Sequence, residues 1–403
     1  MPYFMKTTNL TTILFSIIIL ISSSLKGQES KTSPYIFSNE TIGLYFFDNM
    51  ARVNIGGKYG FIDRQGFLQI PCQYDNALNF QDGLAIVREK DKFSFIRKNG
   101  TLLSSLVFDS CEPFSEGYAL VSIHGKYGFI DKEGKVAINP QFDFGMGFTD
   151  GRAMVIKNGK NGYIDTKGDV VIDFKYEFSL PFSENYAVVM NNGKFGYIDK
   201  DGKEVVPCKY DIASSYHEGL ATVKVGDLTG VIDQKDNMII QPVYQNVSSF
   251  ENGVAVMMKG DKYGIIDRNG KEIVSAKYDL LDDFRDNIAA FKINGKYGFI
   301  DNNGKEFIPA VFDKATAFDQ GMAAVRQRDN LYYIDTQGKI IYSSKYLVPT
   351  DMADNSNKNV SGYIDGKERI NFTLDNTNRT KVQVLFTKDF KFDKGSVLTN
   401  IAD

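Results

Sequence analysis

The chain of 403 residues has no tryptophan, three cysteines, two histidines and ten prolines. Three cysteines, Cys72, Cys111 and Cys208, are too few for the disulfide framework of a chain this long. They read instead as small apolar fillers. His124 and His217 belong to no metal-spaced or triad-like motif, so both read as surface residues. No Gly-x-x-x-x-Gly-Lys-Ser/Thr run occurs, which excludes a phosphate loop of that kind. Charge of one sign is also missing, since 47 Lys and Arg stand against 50 Asp and Glu. Such a balance excludes the basic footprint of a nucleic-acid or anionic-lipid binder.

Long hydrophobic runs are confined to the start. Lys6 precedes an apolar run from Ile13 to Ile21, followed by Ser22-Ser23-Ser24-Leu25-Lys26-Gly27. This pattern predicts a signal peptide over 1–27, cut before Gln28. The run is short of the roughly 20 residues that span a bilayer, and no later segment approaches that length. A secreted chain, periplasmic or at the cell surface, with no membrane span after cleavage is therefore expected. Losing Lys6 and Lys26 takes the net charge from −3 to about −5. Residues 28–45 form a lead-in.

From Phe46 the sequence repeats itself in nine units of 34 residues without insertion or deletion, ending at residue 351. Repeats on this scale mean a stacked array rather than a single enlarged core. Every unit opens on an aromatic residue: Phe46, Phe80, Phe114, Phe148, Phe182, Tyr216, Phe250, Phe284 and Phe318. These are core anchors. Three residues later only Gly or Asn occurs, as in Gly117, Gly151 and Asn185, which implies a left-handed turn. An invariant alanine follows, for example Ala119 and Ala153, with an apolar residue two positions on; period two means a strand.

A Gly-Lys turn leads to a second strand with an invariant isoleucine, from Ile62 and Ile96 to Ile334, and an apolar neighbour on its opposite face. Both faces of this strand are expected to be covered. Asp63-Arg64-Gln65-Gly66 and its equivalents then make a hairpin turn into a third strand, such as Val170 to Ile172. Each unit ends on a further aromatic, Tyr74 in the first and Tyr346 in the last. The expected fold is all-β: a tandem array of nine 34-residue three-stranded β-meander repeats. With nine short units and no split unit at the ends, an open β-solenoid or superhelix is favoured over a β-propeller-like ring. Residues 352–403 lack the repeat and are expected to cap the array.

The unit resembles the WG repeat, a bacterial motif. Phe114-Ser115-Glu116-Gly117-Tyr118-Ala119-Leu120-Val121 followed by Gly125-Lys126-Tyr127-Gly128-Phe129-Ile130-Asp131 carries the likeness, which extends over residues 46 to about 346. The tryptophan that names the motif is replaced throughout by Tyr59, Phe93, Tyr127, Asn161, Phe195, Thr229, Tyr263, Tyr297 and Leu331. The resemblance implies a β-rich array that mediates interactions, with no catalytic residues.

Candidate chemistry is thin. Asp199-Lys200-Asp201-Gly202 and its equivalents lack the further ligands of a calcium loop, and hairpin turns account for them. No catalytic, cofactor-binding or metal residue is therefore assigned, and no cofactor. The expected function is a secreted, non-enzymatic scaffold for a protein partner, because no loop is enlarged to carry an active site. The alternative is a carbohydrate-binding module using rings such as Tyr118, Tyr186 and Tyr332.

Overall fold

A computed structural model describes residues 42–55, 57–63, 67–318, 321–328 and 330–343, with strand backbone at 359–364, 368–374, 382–385 and 397–401. The expected leader 1–27 and the lead-in through residue 41 lie outside the described residues, as does the expected cap 352–403 apart from those four strands. All described residues belong to one compact unit, Glu40–Asp403.

The array is all-β, and its described repeats fold as the three-stranded meanders the sequence predicts, except that the second lacks its third strand and that one strand is added. The third repeat forms Tyr118–Ile123, Lys126–Asp131 and Val136–Phe142, an antiparallel meander. A fourth, two-residue strand, Ser110–Cys111, pairs with Tyr118–Ile123 through Ser110↔Ser122 and Cys111↔Val121. It comes from the end of the preceding repeat. Seven sheets have this four-stranded form, so each repeat contributes a strand to the sheet of the next and the units interlock through backbone hydrogen bonds.

Two turns per unit set the strand register. In the turn Ser115-Glu116-Gly117-Tyr118 both central residues have positive φ, 51° and 89°, the twist that suits a tight hairpin. Ser115 and Tyr118 exchange backbone hydrogen bonds of 2.8 and 3.0 Å across it. The Gly/Asn position is left-handed in Asn49, Asn185 and Asn287 as well, at 66°, 71° and 65°. The second turn, His124-Gly125, repeats this geometry at 52° and 73°.

The core lies between repeats. Leu120, Phe129, Ile138 and Phe142 of the third repeat pack against Phe148, Ala153, Val155 and Ile164 of the fourth. Met154, Tyr163, Ile172 and Tyr176 on the opposite face of that fourth sheet pack against Phe182, Ala187, Val189 and Ile198 of the fifth. Each sheet is thus covered on both faces, as expected. The opening aromatic sits on the ring of the preceding repeat's isoleucine strand: Phe61 and Phe80 are 4.7 Å apart, Phe129 and Phe148 4.7 Å, and Tyr197 and Tyr216 4.6 Å. The invariant alanine is small because it faces that close layer.

The glycine after the missing tryptophan has a separate cause. The outer strand bulges opposite it, with register shifts on both sides of Phe129. A Cβ at Gly128 would lie 2.5 Å from the Ile138 carbonyl oxygen and 2.6 Å from the Pro140 nitrogen. Its φ lies outside the left-handed region, so the requirement is space alone. Two repeats lack this glycine. Where Ser94 replaces it, the outer strand is reduced to the bridges Phe93↔Phe108 and Ile96↔Leu102. Where Tyr332 replaces it, the strand keeps register through Tyr332↔Ser343 and Tyr333↔Tyr342, and only the shift between Tyr333 and Ile334 remains. The glycine goes with the first of the two shifts.

Candidate functional site

Most polar side chains that repeat in the sequence are engaged in holding the fold. Asp131 Oδ1 accepts the backbone N–H groups of Glu133 and Lys135 at 3.1 and 2.8 Å, and Asp199, Asp267 and Asp301 act in the same way. The hairpin aspartates are therefore turn residues, as the sequence implies. Lys126 Nζ meets Asp143 at 2.6 Å, while the second oxygen of Asp143 accepts the Asn158 N–H at 2.7 Å. The Lys126 hydrogen bond and then that N–H hold the Asp143 carboxyl below its ordinary range. Asp75, Asp109, Asp211, Asp279 and Asp313 are lowered by the equivalent lysine.

A ladder that sequence reasoning missed runs between repeats. The acid in the first turn accepts the N–H of the turn residue one repeat on: Glu116 from Gly151 at 2.9 Å, Asp150 from Asn185 at 2.7 Å and Glu184 from Gly219 at 2.8 Å. Beside it, the hydroxyls of Ser115 and Ser183 donate to the carbonyls of Phe148 and Tyr216, each at 2.8 Å. His217 donates from Nδ1 to the Phe250 carbonyl at 2.6 Å in the same way. The recurrence of an acid before Gly or Asn was the available signal.

His124 and His217 are exposed, as expected. The three cysteines are free and half-buried, and burial pushes the Cys111 thiol up to about 12. Asp282 and Asp283 move the other way from the paired aspartates, raised first by burial. Among the described residues no cluster of His, Cys, Asp and Glu could hold a metal ion. The residues in place of tryptophan sit in the seams of the sheets: Tyr127 lies 5.4 Å from Phe144, Phe195 lies 5.9 Å from Phe178, and Arg52 covers Tyr59 at 5.1 Å. Asn161 and Thr229 are buried there and donate to the carbonyls of Glu177 and Gln245, each at 3.3 Å.

Of the rings named as sugar-stacking candidates, Tyr118 packs on Phe148 at 5.2 Å and Tyr186 on Tyr216 at 5.4 Å. Tyr332 is half-buried against the cluster of Ala290, Phe299 and Phe318. A cleft lined by Leu78, Asn79, Pro113 and Phe114 has a volume of about 30 Å³, room for a water rather than a sugar.

What folding does not explain lies on the outer strands. The first residue of this strand is apolar and exposed in three consecutive repeats: Leu102 at 50%, Val136 at 39% and Val170 at 49%. Val107 at 53% adds to the second repeat. The equivalent residues of the fifth, seventh and eighth repeats are Glu204, Glu272 and Glu306. The outer strand ends the strand order of its sheet, so this apolar stripe follows the free edge.

No curated protein matches the sequence. Among solved structures the chain is similar to a eukaryotic initiation factor at 10% identity and a TM-score of 0.49, over 75% of this chain and 96% of that one. It is similar to Kluyveromyces lactis Hsv2p at 10% identity and 0.32, over 59% and 94%. PorZ, a surface component of the Porphyromonas gingivalis type-IX secretion system, shows 9% identity and 0.27, over 85% and 58%. The profile of the WG containing repeat matches eight times, over 59–93, 93–127, 127–160, 162–195, 195–228, 230–263, 263–297 and 297–332. With more than half of its length matched in register, the chain belongs to the WG-repeat family.

Proposed function

We propose that this WG-repeat chain is an exported, non-enzymatic interaction protein that binds a protein partner along the outer strands of repeats two to four. The observation that carries the reading is the stripe of Leu102, Val136 and Val170. Apolar side chains recurring at one place on successive repeats form an extended surface, and exposed patches of this kind mark interaction sites. Export rests on the leader pattern of Lys6, Ile13 to Ile21 and Gly27.

The test is capture from an envelope extract by the mature chain, beside a variant carrying Leu102→Lys, Val136→Lys and Val170→Lys. A saturable protein partner whose affinity falls at least about tenfold in the variant supports the reading, since each lost apolar contact is worth roughly 1 kcal/mol or more. Equal capture by both chains overturns the site. Binding to a glycan array with no protein captured overturns the partner class in favour of carbohydrate. N-terminal sequencing of the native protein should begin at Gln28; an intact Met1 overturns cleavage.

A further inference from the structure

We infer that the C-terminal strands clasp the two ends of the repeat array. In the fourth repeat Ala153, Val155 and Ile164 face the repeat before, and Met154, Tyr163 and Ile172 face the repeat after. The first repeat has no predecessor, yet Ala51, Val53 and Ile62 on its backward face are exposed by 0%, 9% and 0%. The ninth has no successor, yet Ala324 on its forward face is exposed by 2%. The backward end face is covered by the chain itself and the forward one in part, since Tyr333 is half-buried where its equivalents Tyr163 and Tyr197 are fully buried.

The backbone pairing supplies the connection. Strand Ile42–Phe47 pairs on one side with Met50–Ile55 of the first repeat. On the other it pairs with Val397–Ile401, through Ile42↔Asn400 to Tyr45↔Val397. Val397–Ile401 continues into Asn359–Ile364, and that strand into Glu368–Leu374. The last strands of the chain therefore extend the first sheet of the array. The ninth repeat's outer strand ends at Ser343, and the connection from there to Asn359 reaches at most about 55 Å. Two further strand spacings bring the limit to about 65 Å. A straight stack of nine sheets about 10 Å apart would separate its first and last members by about 80 Å. The array curves back, and its C-terminal strands bridge the gap.

Hydrogen exchange on the full mature chain tests the clasp directly. Among the described residues Ile42–Tyr45 pair with Val397–Asn400 alone, so their amides should exchange at least about 100-fold faster in a Leu398→Pro variant, which removes a backbone donor from the bridging strand. Amides of Tyr118–Ile123 should not change. Dyes at Lys58→Cys and Lys339→Cys, with Cys72, Cys111 and Cys208 changed to serine, should lie within about 65 Å in a chain with Leu398 intact. Free exchange at Ile42–Tyr45 in the intact chain overturns the inference, as does a dye separation near 80 Å. Protection that grows with protein concentration alongside a dimeric mass also overturns it, because the strands would then be exchanged between two copies.

Discussion

Replacing Gly128 with alanine tests the account of the bulge. The added methyl would stand 2.5 Å from the Ile138 carbonyl oxygen and 2.6 Å from the Pro140 nitrogen. Both neighbours are backbone, so relief requires the outer strand to move by close to 1 Å rather than a side chain to rotate. Overpacking of this kind costs about 1–3 kcal/mol. The displaced strand would also weaken the pairs Tyr127↔Phe142, Phe129↔Ile138 and Ile130↔Val136, at about 1 kcal/mol per lost hydrogen bond. The expected destabilisation is about 3–5 kcal/mol, local to the third repeat and its neighbours because the units stack pairwise. Hydrogen exchange should show Val136–Phe142 losing protection while Glu204–Tyr210 keeps it, and urea unfolding should show an earlier phase. Full protection at Val136–Phe142 with a loss below about 1 kcal/mol would refute the reasoning. Ser94→Gly is the reciprocal change, and residues 102–108 should gain protection.

Gly117→Asn should be nearly neutral and Gly117→Val should cost about 1–2 kcal/mol, measured by urea unfolding, because a Cβ there meets nothing within 4 Å and only the φ of 89° is restrictive. Phe148→Ala empties a fully buried site and should cost about 3–5 kcal/mol, with exchange rising at the seam of repeats three and four. Stability should fall as pH drops below about 4: Asp143 and its five equivalents are lowered from 3.8, so their contribution is present above the unfolded pKa and lost as pH falls through the folded one. Melting curves from pH 7 to 2.5 check this, and Asp143→Asn should flatten the acid limb. Cys111, pushed up to about 12, should resist a thiol reagent at pH 8 until the chain is unfolded.

The parts of the fold legible in the sequence are those where one conformation admits few residue types. A buried ring seat needs Phe148 or its like, a left-handed turn needs Gly117 or Asn185, and the hairpin needs Asp131 with Gly134. The two-residue strand was not legible, because two residues are too few to show a period, although its second residue is buried in Phe144-Gly145 and Ile212-Ala213. The acid ladder was hidden for a different reason: its partners lie a full repeat apart, as in Glu116 and Gly151. The glycine after the tryptophan position could have been read as a close backbone approach, and Ser94 and Tyr332 were visible exceptions. The tyrosines named as sugar-stacking candidates have unremarkable neighbours in sequence, and their packing on the next repeat's anchor is a tertiary fact.

The stripe on the outer strands stands apart from all of this because the array itself shows that folding does not require it. The first outer-strand position accepts glutamate: Glu306 receives hydrogen bonds from Lys277 at 2.9 Å and from the Tyr278 hydroxyl at 2.6 Å, tying the eighth repeat to the seventh, and Glu272 pairs with Lys259 at 3.1 Å. In those repeats the position strengthens the array. In repeats two to four Leu102, Val136 and Val170 make no such bond and stay exposed, on the free edge where apolar side chains invite unwanted association. The outer strand guards that edge elsewhere with a bulge and a proline, as at Pro140 and Pro207. An edge protected in its middle and apolar at its start is suited to a partner that approaches from the start of the strand. A charge introduced at Val136 should therefore weaken binding while leaving the melting temperature within about 2 °C, since surface changes away from packed sites stay near ±0.5 kcal/mol. A Val136→Lys chain that melts several degrees lower would mean the stripe belongs to the fold after all.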